Sequence, residues 1–402
     1  MKYIVCIPDG VADSLQDYPT GDTPMRMAHT PTLDALADHG VVGWVKTVPD
    51  ACSPGSDVAC LSIFGYDPEV YYTGRSPLEA VSMGIDLGDN LAFRCNLVTV
   101  EDGVMKDFTA GHISTEEADQ IIQALNAELR SPSIRFYTGV QYRHALVTPA
   151  DWQDCTCTPP HDIQEQLVLP SLPQGPAAVL VLDLMNRSKM ILANHPVNLA
   201  RRKTGKRPVT QIWLWGQGTS PKLPLYSERC GLRGAAISAV DLIKGIAMLA
   251  GLNVIEVKGA TGLPDTNYEG KADAALTALE HGDFVCVHVE ATDEMGHKGD
   301  EKMKTQAFTD FDQRLVRHIV EGLRAKNEPF RMLVMPDHPT PIRIRTHSKD
   351  PVPFLLYDSR YPEQTGSGGY NEWNVKQRSQ SIILGYKMID LLCEKIVDSI
   401  GS

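Results

Sequence analysis

Residues 332–338 have the sequence MLVMPDH, a pattern on which the prediction of the fold rests. It is an apolar run of strand length that ends in Asp337 and His338. Two further apolar runs end in a similar way: residues 2–7 before Asp9, and residues 284–289 before Asp293. In open parallel sheets, functional side chains gather just beyond the carboxyl ends of the strands. The three runs therefore predict a parallel sheet with a polar cluster along one edge.

Helix-like segments alternate with strand-like segments around these three runs. Helices are predicted at residues 32–39, 56–64, 235–250, 268–281 and 305–324, and further strands at 41–48, 254–257 and 352–357. This alternation predicts an α/β fold, in which helices sandwich a mainly parallel sheet.

The middle of the chain has a different character, because Pro- and Gly-containing turn signals break it into short pieces. We interpret residues 89–205 as a smaller α/β domain that binds substrate and is inserted into the first domain. Residues 1–88 and 206–402 would then form the metal-binding, catalytic domain. Such an insertion would allow both halves of the polar cluster to meet in one sheet.

The composition and net charge disfavour several partners and locations for the protein. The chain has 402 residues and a net charge of −12, which disfavours nucleic acid and acidic membranes as partners. No stretch approaches the ~18 uncharged apolar residues of a membrane span, and the N-terminus does not resemble a signal peptide. Nine scattered cysteines favour reduced thiols and a cytoplasmic location. The close pair Cys155 and Cys157 lacks further ligands at metal-site spacing.

Three Asp and three His make up the predicted metal cluster: Asp9, Asp293, His297, Asp337, His338 and His347. Asp293 and His297 are four residues apart, so on a helix both would face one ion. Asp337 and His338 are adjacent and are expected to point to different sides, which suits two ions. Mixed carboxylate and imidazole ligands favour Mn²⁺, Zn²⁺ or Co²⁺, whereas an all-oxygen site would favour Mg²⁺ or Ca²⁺.

Ser56 follows Gly55 where a helix is predicted to begin. Helix N–H groups and the helix dipole favour a phosphate there. Ser56 alone would be interpreted as a helix cap. Beside a metal cluster, it becomes a candidate nucleophile for phosphoryl transfer.

Basic residues are frequent in and beside the predicted insertion. The candidates for binding an anionic substrate include Arg94, His112, Arg143, Lys189, Arg201 and Arg207. A solvated basic face would account for most of them equally well. Phosphate-binding loops of the Walker type and dinucleotide-binding Gly-x-Gly-x-x-Gly turns are absent from the sequence.

Several motifs together resemble the cofactor-independent phosphoglycerate mutases of archaeal type, within the alkaline phosphatase superfamily. The matching segments are residues 8–10 (PDG), 54–59 (PGSDVA), 64–68 (FGYDP), 72–75 (YTGR), 234–242 (GAAISAVDL), 259–262 (GATG), 291–297 (ATDEMGH), 336–338 (PDH) and 350–353 (DPVP). They cover nearly the whole chain outside the insertion. Cys60, Ser76 and His112 depart from the family pattern and concern substrate contacts more than metal ligands.

The resemblance implies interconversion of 3-phosphoglycerate and 2-phosphoglycerate through a phosphoserine at Ser56. One ion would be held by Asp9, Ser56, Asp337 and His338, and the other by Asp293, His297 and His347. Manganese is the expected metal, with zinc, cobalt or magnesium as alternatives. Substrate contacts are expected from Asp57, Arg94, His112, Arg143, Arg201, Arg207 and Arg233. Domain closure would exclude water and so prevent hydrolysis of the phosphoserine.

Two other enzyme activities share the same chemistry. One is phosphoryl transfer to another small acceptor such as homoserine, although no recognisable ATP loop supports it. The other is a metal-dependent phosphatase. The sequence leaves the oligomeric state and the choice of metal open.

Overall fold

The structure is a computed structural model that describes residues 1–362 and 368–393. Its residue contacts divide the chain into two compact units. The large unit combines residues 1–72 with the chain from residue 222 onward, and the inserted unit comprises Thr73–Pro221. Within the described ranges, no helix is both long and apolar enough to span a membrane.

The large unit starts with a strand and a series of short helices. In chain order these elements are β1 (Lys2–Pro8), α1 (Pro24–Met27), α2 (Pro31–Asp38), β2 (Val41–Lys46), α3 (Ser56–Ile63) and α4 (Pro68–Tyr71). Strand β1 is apolar along most of its length because a central parallel strand is covered on both faces. Helix α2 begins at Pro31, whose fixed φ suits the first helical turn.

The inserted unit contains an antiparallel sheet, four α-helices and three short 3-10 helices. Its elements are α5 (Arg75–Ser82), β3 (Leu91–Glu101), β4 (Val104–Asp107), α6 (Thr115–Leu129), β5 (Arg135–Val140), β6 (Arg143–Thr148), α7 (Ala178–Ala193), α8 (Pro196–Lys203) and β7 (Gln211–Thr219). The strand order is β4-β3-β6-β5, with β7 on the other side of β3. A separate apolar core, which includes Phe93, Leu125 and Trp213, lies within this unit.

The chain then returns to the large unit and completes its sheet. The elements are α9 (Tyr226–Arg229), β8 (Gly234–Ile237), α10 (Asp241–Leu249), β9 (Asn253–Val254), α11 (Tyr268–His281), β10 (Phe284–Val289), α12 (Ala291–Lys298), α13 (Glu301–Asp310), a π-helix (Phe311–Val316), α14 (Arg317–Ala325), β11 (Phe330–Val334), β12 (Val352–Asp358), α15 (Glu372–Arg378), β13 (Ile382–Leu384) and α16 (Met388–Leu392). Helix α11 begins beside Asn267, whose side chain accepts a hydrogen bond from the amide of Gly270 at 2.9 Å.

The eight-stranded sheet of the large unit has the order β13-β2-β12-β11-β1-β10-β8-β9. Strands β11, β1, β10, β8 and β9 are parallel neighbours, whereas β12 runs antiparallel to both β11 and β2. Helices flank this sheet, and its core combines β-strand residues with apolar faces of α2, α11 and α14. The predicted α/β fold with a mainly parallel sheet is therefore confirmed.

Some predicted segments differ from the structure. The predicted helix 235–250 is wrong in its first turn, because residues 235–237 belong to strand β8 and only Asp241–Leu249 is helical. A short apolar run fits the periodicity of a strand as well as that of a helix, so the sequence did not distinguish strand β8 from the helix that follows it. Of the predicted strand 254–257, only Val254 is in a strand, the two-residue β9.

The inserted unit also begins earlier and ends later than the predicted range 89–205. Helix α5 packs on β3 and β7, and β7 pairs with β3, so both elements belong to this unit. Its interior is more regular than the short pieces expected from the turn signals, because α6 and α7 are long helices.

Candidate metal and phosphoryl-transfer site

Three aspartates converge at one edge of the large sheet. Asp9 follows β1, Asp337 lies three residues beyond β11, and Asp293 lies in α12 directly after β10. Because β11, β1 and β10 are adjacent and parallel, their carboxyl ends meet at the same edge. Two sets of side chains could each hold a metal ion: Asp293 with His297 and His347, and Asp9 with Asp293 and His338. Within each set, the potential ligand atoms all lie within 4.8 Å of one another.

The outer group is Asp293, His297 and His347. His297 Nε2 lies 3.2 Å from one carboxylate oxygen of Asp293, and His347 Nε2 lies 3.4 Å from the other. The His297 Nδ1 atom is 3.0 Å from the carbonyl of Arg345, which orients the ring. Burial lowers the pKa of His297, but the hydrogen bond with Asp293 and its charge outweigh burial and raise that pKa to about 9. Helix α12 confirms the expected i, i+4 geometry of Asp293 and His297.

The inner group contains Asp9, Asp337, His338 and Ser56. His338 Nε2 lies 3.1 Å from Ser56 Oγ, 3.2 Å from Asp337 Oδ2 and 3.8 Å from Asp9 Oδ1. The expectation that Asp337 and His338 point to different sides is wrong: they follow the end of β11, in a segment without strand alternation, and converge on one point. Burial lowers the pKa of His338 to about 4, so its imidazole is neutral at pH 7 and has a lone pair to offer.

The donor set fits divalent metal ions. Asp9 Oδ1 is buried, and among the described residues it has no hydrogen-bond partner. Burial, then the charges of Asp337 and Asp293, raise the pKa of Asp9 well above its usual value. A cation in the cluster would satisfy the free oxygen and relieve this repulsion.

Gly10 is required by the close approach of the outer group. Its φ is +61°, and a Cβ atom there would lie 2.5 Å from Asp293 Oδ1 and 2.5 Å from Thr340 Oγ1. Its amide also donates to Asp337 Oδ1 at 3.1 Å. A side chain at this position would displace a carboxylate of the cluster.

The sequence did not predict two residues that contact the cluster. His288 lies inside β10, and its Nε2 is 2.9 Å from Asp9 Oδ2. Burial lowers the pKa of His288 to about 4. Thr340 donates its hydroxyl to Asp293 and lies 3.3 Å from His338 Nδ1. A polar residue within the otherwise apolar β10 was the available signal for His288.

Ser56 is the first residue of helix α3, so its side chain lies beside the free N–H groups of the first turn. Its neighbour Asp57 is buried and faces inward. The Asp57 carboxylate accepts hydrogen bonds from the hydroxyl of Tyr72 and from the amide of Val58. Ser56 thus stands between the His338 imidazole and a helix N-terminus.

The predicted basic residues fall in different places. Arg233 is exposed and precedes β8, at the amino-terminal edge of the sheet, opposite the metal cluster. Arg201 is buried, and its guanidinium bonds to Glu117 and to the carbonyls of Arg207 and Ala110. These contacts give Arg201 a structural role within the inserted unit.

Arg207 and His112 lie near Arg201 in the same unit. The Arg207 guanidinium donates to the carbonyl of Lys106 at 2.6 Å and to Asp107 at 3.2 Å. His112 is exposed and has a positive φ of 47°. Neither side chain is buried.

Arg94 and Arg143 belong to a second basic group in the inserted unit. Arg94 is buried and ion-paired with Glu79 at 2.6 Å, and Arg75, which the sequence did not single out as a substrate contact, pairs with the same carboxylate at 2.9 Å. Both guanidinium groups lie over the ring of Trp215. Burial raises the pKa of Glu79, but the charges of Arg94 and Arg75 outweigh it and lower that pKa, with a smaller contribution from Arg143. This group therefore has an excess of positive charge.

The family model that matches this chain and two similar relatives carry the same enzyme description. Residues 37–198 match the family model described as 2,3-bisphosphoglycerate-independent phosphoglycerate mutase. The enzyme of that name from Methanosarcina acetivorans is 48% identical over 394 residues, which cover 98% of this chain and 99% of the relative. A probable enzyme of that name from Geobacter sulfurreducens is 46% identical over 400 residues, which cover 98% and 100%.

Two solved structures align with nearly the whole of this chain. A Pyrococcus horikoshii protein aligns with a TM-score of 0.81 and 28% identity, over 100% of this chain and 99% of its own. A cofactor-independent phosphoglycerate mutase from Thermoplasma acidophilum aligns with a TM-score of 0.64 and 27% identity, over 98% and 100%.

Proposed function

The chain belongs to the family of 2,3-bisphosphoglycerate-independent phosphoglycerate mutases, and on this premise we propose that Ser56 carries the phosphoryl group between the two positions of the substrate. The enzyme interconverts 3-phosphoglycerate and 2-phosphoglycerate. The observation that carries the proposal is the 3.1 Å contact of Ser56 Oγ with His338 Nε2, inside the cluster of buried carboxylates and imidazoles.

The residues divide between two ions. Asp293, His297 and His347 would hold one ion, and Asp9, Ser56, Asp337 and His338 the other. When bound, the ions supply Lewis-acid chemistry: they lower the pKa of a hydroxyl group and offset charge on phosphoryl oxygens. We favour Mn²⁺ because the donors mix carboxylate oxygen with imidazole nitrogen, a set that also suits Zn²⁺ and Co²⁺.

The reaction then takes two balanced steps. Ser56 Oγ loses its proton and forms a bond to phosphorus while the bond from phosphorus to the glycerate oxygen breaks, and the released oxygen takes up a proton. The other hydroxyl of the glycerate then loses its proton and attacks phosphorus, while the bond from phosphorus to Ser56 Oγ breaks and Oγ takes a proton back. The N–H groups at the start of α3 stabilise the phosphoryl oxygens. Asp57, held by Tyr72 and Val58, is the candidate for exchanging the protons.

The substrate carboxylate needs cationic partners. We assign this role to Arg75, Arg94 and Arg143. Arg75 and Arg94 share one carboxylate, Glu79, and the charge of Arg143 also acts on it, so the three guanidinium groups carry more positive charge than Glu79 neutralises. Arg201 and Arg233 are not part of this proposal, since the first is committed to internal partners and the second lies at the opposite sheet edge. All nine cysteines are free thiols, which suits the cytoplasm that we propose as the location.

The test is an enolase-coupled assay with Mn²⁺, 3-phosphoglycerate and no 2,3-bisphosphoglycerate. Ser56→Ala should lose at least about 1,000-fold in kcat, because it removes the nucleophile. Ser53→Ala changes an exposed serine three residues earlier and should keep wild-type activity. Acid-quenched wild-type protein should carry one phosphate on the peptide containing Ser56.

Substantial mutase activity in Ser56→Ala would refute the phosphoserine mechanism. Homoserine with ATP, and a panel of phosphate monoesters, test the two other activities on the same protein. Arg94→Met should raise KM for 3-phosphoglycerate, whereas Arg233→Met should leave it unchanged.

A further inference from the structure

His288 is a buried polar residue in the middle of the large sheet, and both of its ring nitrogens have partners. Nε2 lies 2.9 Å from Asp9 Oδ2, and Nδ1 lies 3.1 Å from Ser238 Oγ. Ser238 follows β8 directly, and both residues are almost fully buried. A line of hydrogen bonds therefore runs from Ser238 through His288 to a carboxylate of the inner group.

The direction of this line follows from its Asp9 end. An ionised carboxylate oxygen can only accept, so His288 Nε2 carries a hydrogen and donates it to Asp9 Oδ2. In the neutral imidazole Nδ1 is then an acceptor, and the Ser238 hydroxyl donates to it. Ser238 Oγ in turn accepts from the amide of Val240 at 3.0 Å.

The bond to Oδ2 decides which oxygen of Asp9 remains for a cation. Oδ1 has no hydrogen-bond partner among the described residues, and it is the oxygen nearer His338, at 3.8 Å. The hydroxyl of Thr292 also donates to the Asp9 carbonyl, so the main chain at this residue is held as well. Asp9 is thus held at Oδ2 and at its carbonyl oxygen, and Oδ1 is left open.

We propose that His288 and Ser238 are positioning residues that present Asp9 Oδ1 to the inner ion, Ser238 by fixing the tautomer of His288. This inference rests on the metal assignment proposed above. Partners behind a metal ligand that hold it in orientation are commonly important for affinity, and their loss costs about 10- to 100-fold in metal binding. A mere packing role would make any residue of similar size acceptable.

The experiment is a Mn²⁺ titration of the whole protein. Electron paramagnetic resonance measures the free and the bound manganese at each step. Ser238→Ala and His288→Leu should weaken one of the two ions about 10- to 100-fold while the other keeps its affinity. His288→Gln should recover most of the loss, because its amide can donate from near the position of Nε2. Val287→Ala, a buried neighbour in β10, controls for loss of packing and should bind both ions normally.

Wild-type binding of both ions in Ser238→Ala and His288→Leu would overturn the inference, as would equal weakening of both ions. The inference would also be contradicted if His288→Gln bound manganese no more tightly than His288→Leu. If His288→Leu fails to fold, Ser238→Ala, which removes one oxygen atom, still decides the matter. A wild-type protein that binds a single ion would instead overturn the underlying metal assignment, and this inference with it.

Discussion

Gly10→Ala is the substitution whose effect can be worked out most directly from the structure. The added Cβ would lie 2.5 Å from both Asp293 Oδ1 and Thr340 Oγ1, whereas real Cβ atoms essentially never come within 3.0 Å of such neighbours. Both side chains, or the backbone at residue 10, must therefore shift until each distance grows by at least 0.5 Å. Asp293 belongs to the outer group, and its carboxylate also lies within 4.8 Å of ligand atoms of Asp9 and His338 in the inner group, so its displacement should disturb both groups.

Two costs add in this variant. A non-glycine residue at φ +61° costs about 1–2 kcal/mol. Forcing a methyl group into a filled site costs about 1–3 kcal/mol more. The free energy of unfolding should therefore fall by about 2–5 kcal/mol. Metal affinity should fall as well, because a functional constellation tolerates only about 0.5 Å of displacement.

Gly231→Ala is the matched control, since Gly231 has φ +71° in the same unit and nothing within 4 Å of its Cβ position. It should show the backbone cost alone. Urea unfolding in the presence of a chelator removes the contribution of bound metal, and manganese content is measured separately after gel filtration. If Gly10→Ala is no less stable than Gly231→Ala and binds manganese normally, the packing argument is wrong.

Three further outcomes are expected. Asp337→Asn should lower manganese affinity and mutase activity together, because it removes an anionic ligand; normal metal content would show that Asp337 is not one. Lys304→Met should cost about 3–5 kcal/mol, since Lys304 is fully buried beside Asp13, and Asp13→Asn in the same chain should restore part of the loss in urea unfolding. Burial lowers the pKa of His144 to about 3, so its stabilising effect is complete above pH 6.5 and is lost as pH falls toward 3. Relative to His144→Asn, the wild type should lose about 2 kcal/mol between pH 7.5 and pH 5; parallel profiles would contradict this.

The sequence predicted the metal cluster because Asp9, Asp293 and Asp337 each follow an apolar run, and parallel strands bring such positions together. It missed His288, since a strand buried on both faces has no solvent side on which a polar residue would be expected. The sequence also could not show the internal partners of Arg201, because the acceptors of that guanidinium, such as Glu117, are distant in sequence. Arg75 and Arg94 form one group because both are ion-paired with Glu79, and only the folded structure shows these pairs.

Strand β1 pairs with β10 and β11, so the first residues of the chain must wait for partners that are synthesised much later. Tyr3 lies beside Phe284, which is 281 residues further along the chain. The inserted unit is continuous in sequence and can fold as soon as Pro221 is available. Where it starts and ends, the hydroxyl of Thr73 donates to the carbonyl of Thr219, so its folding brings Tyr72 close to Lys222.

This closure shortens the effective loop between β1 and β10 by about half, which lowers the entropic cost of closing it by only about 0.6 kcal/mol. The larger effect is on the order of events. During synthesis the apolar β1 segment remains without its sheet neighbours at least until β10 has emerged, and an insert that folds earlier has by then brought Tyr72 close to Lys222.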